Sequence, residues 1–146
     1  MPSATQITAV GLTGVILGLL AVGVVSGTPV RHLVQVAPAI LALVFIIRRA
    51  PWAYYAALPI FVFWLLIMLA IWLYLLGIAR IVSGHFTHAE IGLSFVIGAS
   101  CLVGLSQMLR SQPVASRVTR AAWSVIFAAL QLAALWLSLR PEFATV

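Results

Sequence analysis

Residues 52–79, WAYYAALPIFVFWLLIMLAIWLYLLGIA, run without a single Asp, Glu, Lys, Arg or His. As a helix this stretch would be about 42 Å long at 1.5 Å per residue, more than the roughly 30 Å hydrocarbon core of a bilayer. It therefore predicts a long transmembrane helix that tilts or protrudes. Pro59 removes one backbone donor inside it and predicts a kink there.

Four further apolar runs flank this one, at about 6–25, 33–47, 91–109 and 121–139, and none carries a charged side chain deep inside. The chain is 64% hydrophobic and 7% charged, with a mean hydropathy of +1.22. A soluble domain carries about 25% charged residues, so this one cannot cover itself with polar groups and needs lipid as solvent. The fold class expected is an all-α integral membrane protein, a single domain over residues 1–146. It is a bundle of five helices, or of four if the run Leu33–Ile47 fails to cross. That run is short, is interrupted by Pro38, and follows the breaker cluster Ser26-Gly27-Thr28-Pro29. The first run lacks a basic segment before it and reads as a retained span rather than a cleaved signal.

Net charge is +6, from eight Arg against Glu90 and Glu142. The Arg residues lie between apolar runs, at headgroup level, instead of forming the patch that binds nucleic acid. With five spans, Arg48, Arg49, Arg110, Arg117 and Arg120 share one side, and Arg31, Arg80 and Arg140 share the other. The positive-inside rule puts the first group in the cytoplasm, with the N-terminus. The Arg80–Glu90 loop and the C-terminus are then outside. The absence of Lys, Asn and Asp suggests a GC-rich bacterial genome, hence a bacterial inner membrane. Trp52, Tyr54, Tyr55 and Trp123 fall beside the expected cytoplasmic boundary, and Trp72, Tyr74 and Trp136 approach the outer one. Trp64 lies at mid-depth and reads as packing.

Few residues suggest chemistry. Cys101 is the only cysteine, so no intramolecular disulfide or CxxC redox pair exists. No Asp is present to orient a histidine for nucleophilic catalysis, and no glycine-rich phosphate loop follows a strand. His32, His85 and His88 collect on the expected outer side and are the candidate metal ligands, since imidazole suits zinc, copper or iron. A haem between His32 and His88 is the corresponding cofactor reading, although axial histidines usually sit within the membrane. Thr87-x-x-Glu90 followed by an apolar run also fits a helix-capping box, which employs both residues without a ligand. No cofactor is therefore expected.

Helix faces carry the stronger signal. Gly11, Gly14 and Gly18 fall on one side of the first helix at 100° per residue, suiting close packing with a helix of the same chain or of a second one. Ser124, Ala128 and Gln131 form a stripe on the fifth helix. Gln131 is near mid-membrane, where an unpaired amide is costly, so it should meet another helix or a polar headgroup. The leading expectation is a non-catalytic accessory or structural subunit, or a homo-oligomer, whose partners are the bilayer and other transmembrane helices. The alternatives are a binder of an apolar ligand such as a lipid or isoprenoid, around Gln131 and Pro59, and a metal- or haem-dependent membrane protein using the histidines.

Overall fold

The computed structural model describes residues 3–110 and 115–143 and contains five α-helices: α1 (Ala4–Val25), α2 (Pro29–Ile47), α3 (Ala53–Leu75), α4 (His88–Arg110) and α5 (Arg117–Ser138). A short 3₁₀ turn, Pro141–Phe143, follows. All five helices are long and apolar enough to cross a membrane, and the described residues contain no strand.

The run Leu33–Ile47 belongs to a full-length helix. Pro29 occupies its first turn, where the missing N–H is one no helical carbonyl would have accepted. The 19 residues of α2 therefore span about 28 Å, and Arg31 and His32 lie within the helix. The third helix ends four residues before the expected Ala79. Gly77 adopts a left-handed φ of 73°, letting Gly77 N–H reach the Tyr74 carbonyl (3.0 Å) and Ile78 N–H reach the Leu73 carbonyl (2.9 Å). This C-terminal motif satisfies carbonyls that would otherwise be orphaned and turns the chain away. At 23 residues α3 is about 35 Å long, close to the membrane thickness. Pro38 and Pro59 both lie inside helices that continue past them.

The same motif closes α1 at Gly27 (φ 68°) and α2 at Arg49 (φ 55°). Ser3 and Gln6 cap α1 reciprocally, and Ser116 Oγ accepts from Thr119 N–H at the start of α5.

Successive helices run up and down. Contacts between equivalent ends establish this: Gly23 packs on His32 where α1 meets α2, Thr5 bonds Tyr54 at the starts of α1 and α3, and Trp72 bonds Ser94 where α3 meets α4. In cross-section the packing order around the bundle is α1, α2, α5, α3, α4, with α2 also touching α3 across the middle. One end of the bundle carries Arg48, Arg49, Arg110, Arg117 and Arg120. The other carries His32, His85, His88, Glu90 and Glu142, with Arg31, Arg80 and Arg140.

The buried centre includes Leu12, Val15, Val36, Ile60, Phe61 and Ile97. Large apolar side chains such as Leu17, Leu66, Phe95, Val125 and Leu132 point outward, an arrangement suited to lipid and not to water. The described residues therefore form a small helical bundle of membrane type. Trp52 and Trp123, placed by sequence at a boundary, stack face to face at 3.6 Å and 6° and join α3 to α5.

Candidate functional site

Small residues bring α1 and α4 together. A Cβ at Gly14 would collide with Ser100 Oγ, one at Gly18 would press on Ile97, and one at Gly11 would meet the Ser100 carbonyl at 3.0 Å. The glycine face of α1 is therefore turned toward α4 of the same chain. On α4, Gly104 leaves room for the Phe61 ring and Gly98 for the Trp72 ring.

A polar seam joins α5 to α2 and α3. Ser124 Oγ donates to the Tyr55 carbonyl, and Gln131 Nε2 donates to the Gln35 carbonyl at 3.2 Å. Gln35 Nε2 in turn donates to Ser138 Oγ (3.0 Å), and Arg31 Nε to the Ser138 carbonyl (3.2 Å). Gln131 is 1% exposed, and its Oε1 has no protein partner. Ala128 lies on the same helix, one turn before Gln131.

Toward the histidine end, α1, α2, α3 and α4 separate around a cavity of about 340 Å³, which Leu135 of α5 also lines. Its mouth holds Thr28, Arg31, His32, Phe86 and Glu90, with Gln35 and Ser94 below them. The floor is largely apolar, made of Leu19, Trp64, Met68 and Ile97, with Ile67 and Ile71 on the α3 wall; the Trp64 Nε1–H is buried and has no protein partner. Trp64 to Ile71 spans about 10 Å along the helix axis, so the cavity descends from the helix ends toward mid-bundle. Neither Gln131 nor Pro59 lines it, and Gln131 donates its amide N–H to the Gln35 carbonyl on α2. The volume is at the lower end of the roughly 300–1,000 Å³ typical of small-molecule sites.

Both charged groups at the mouth are held in place. Arg31 is tethered through Nε to Ser138. Glu90 Oε2 accepts from Thr87 N–H (2.7 Å) and Thr87 Oγ1 (2.8 Å), while Thr87 Oγ1 receives Glu90 N–H (3.2 Å), so these two residues form a capping box at the start of α4. Among the described residues no ion pair forms, so Arg31 and Glu90 do not neutralise each other.

The histidines do not converge. His32 is half-buried, with Nδ1 3.1 Å from the Thr28 carbonyl and 3.2 Å from Thr28 Oγ1, whereas His85 and His88 are exposed. Among the described residues no three His, Cys, Asp or Glu side chains are grouped to hold a metal ion. Cys101 is buried in the core. A second, more open depression at the arginine end is lined by Ser3, Gln6, Arg49 and Tyr54, and the Thr5–Tyr54 hydrogen bond (2.8 Å) lies beside it.

No family model, no curated protein and no solved structure matches the chain.

Sequence reasoning passed over Arg31, Gln35 and Ser94 as site residues, and preferred packing to ligand stacking for Trp64. Their spacing carried a signal. Arg31 and Gln35 are four apart, Glu90, Ser94 and Ile97 recur at four and three, and Trp64, Ile67, Met68 and Ile71 recur at three, one and three. Each set occupies one helix face. What the spacing could not express is that these faces meet.

Proposed function

We propose that the protein is a non-catalytic membrane bundle that holds an amphiphile, a molecule with an apolar body and a polar head, in the cavity between α1, α2, α3 and α4. One observation carries this reading: a charged, hydrogen-bonding mouth stands directly above an apolar floor, inside a bundle whose outer surface suits lipid. Such a cavity matches a lipid or an isoprenoid entering tail first. By the arginine count, the mouth opens at the outer face of a bacterial plasma membrane, with the N-terminus in the cytoplasm.

The test is mass spectrometry of lipids retained by protein purified from native membranes in mild detergent. A stoichiometric amphiphile should accompany the wild-type chain and be lost in Ile71→Trp, which fills the α3 wall of the cavity. No retained amphiphile, or equal retention by the variant, overturns the reading. The accessory-subunit or homo-oligomer reading draws less support, since Gly14 and Gly18 are taken up against α4. A stable oligomer or hetero-complex without bound amphiphile in the same spectra would favour it.

A further inference from the structure

Opposite charges line one cavity mouth without meeting, and each is fixed by the fold. Resting on the ligand-binding reading above, we infer that the cavity selects a zwitterionic phospholipid headgroup, with its phosphate on Arg31 and a primary ammonium on Glu90.

Arg31 uses Nε on the Ser138 carbonyl, leaving its terminal nitrogens to donate to a phosphate in the geometry guanidinium groups favour. Both hydrogen bonds that the Glu90 carboxylate accepts from Thr87 fall on Oε2, so Oε1 remains as an acceptor. His32 Nδ1 lies 3.1 Å from the Thr28 carbonyl; with the ring proton on Nδ1 toward that oxygen, Nε2 is a second acceptor. A cationic donor is thus matched by a carboxylate and an imidazole, and an anion by a guanidinium. A headgroup bearing only negative charge would satisfy Arg31 and face Glu90 unfavourably. A quaternary ammonium has no N–H to give, and among the described residues Phe86 alone supplies a benzene ring at the mouth, short of the cage such groups prefer. The apolar floor then takes an acyl chain, which a free phosphoamine would lack.

The full-length protein is reconstituted in nanodiscs containing equal parts of phosphatidylethanolamine, phosphatidylglycerol and phosphatidylcholine with identical chains. Retained lipid is counted by native mass spectrometry after transfer to mild detergent, and cavity lipid is the excess over Ile71→Trp. Phosphatidylethanolamine should exceed each of the others by about three- to fivefold, the scale of one exposed ion pair. Glu90→Gln should abolish that preference without loosening α4, because Gln also serves at the third position of a capping box. Arg31→Gln should lower retention of all three lipids. Thermal melts of each variant report folding separately. Cavity lipid with no headgroup preference, with phosphatidylglycerol favoured, or with a preference that survives Glu90→Gln overturns this inference and leaves the ligand-binding reading standing. No cavity lipid at all overturns both.

Discussion

Ser124 Oγ on α5 lies 3.1 Å from the carbonyl of Tyr55 on α3 and donates to it. Tyr55 is four residues before Pro59, so this is the carbonyl that the proline ring deprives of its helical donor. A side chain from a neighbouring helix thus repairs the backbone gap, as membrane helices require. Ser124→Ala should destabilise the bundle by about 1–2 kcal/mol. In a Pro59→Ala background, where residue 59 regains its N–H, the same change should cost less than about 0.5 kcal/mol. A double-mutant cycle by reversible unfolding in mixed micelles measures both; equal costs in the two backgrounds would refute the repair.

Gly14 offers a test of where its helix face points. An added Cβ overlaps Ser100 Oγ and lies 2.9 Å from Ser100 Cβ, so Gly14→Ala should cost about 1–3 kcal/mol through overpacking. Ser100→Gly in the same chain should recover most of it by clearing both atoms. Were the glycine face instead an interface between copies, Gly14→Ala would shift the oligomeric state and leave the unfolding midpoint of the monomer unchanged.

Arg49 closes α2 with a φ of 55°, in the region that favours glycine. Its Cβ crowds the adjoining carbonyl there, at a cost of about 1–2 kcal/mol. Arg49→Gly should therefore raise stability by about 1 kcal/mol, less whatever the more flexible unfolded chain gives back. Arg49→Asn should show a smaller gain. A lowered melting temperature in Arg49→Gly would mean that the cation itself contributes more than the strain it carries.

The five helices were legible because a bilayer leaves little choice. A long run without charge must satisfy its backbone internally, and helices do so within one segment. Their ends were less legible. Pro29 reads as a breaker when taken with Ser26 and Gly27, yet a proline is equally at home in the first helical turn. Starting α2 at Pro29 sets Gln35 well inside the helix, where it is 6% exposed and bonded to Ser138, instead of near a boundary where water could serve it. Leu76-Gly77-Ile78 looked like more helix because its residues are apolar; the left-handed turn at Gly77 depends on one missing Cβ.

The site followed the same division. The Thr87–Glu90 box is local, and local hydrogen bonds are what spacing can express. The cavity is not local: it needs Arg31, Glu90 and Trp64 from three helices whose adjacency no single helix encodes. Five isolated histidine-end charges look alike in sequence, and only packing separates Arg31 and Glu90 from Arg80 and Arg140.

Because α5 contributes a side-chain donor to each of the Tyr55 and Gln35 carbonyls, it acts as the closing piece of the bundle. During synthesis the first four helices leave the ribosome before it does. Until α5 inserts, the Ser124 hydroxyl and the Gln131 amide are missing from that side of the nascent chain. A truncation before Arg117 therefore removes both cross-helix donors at once.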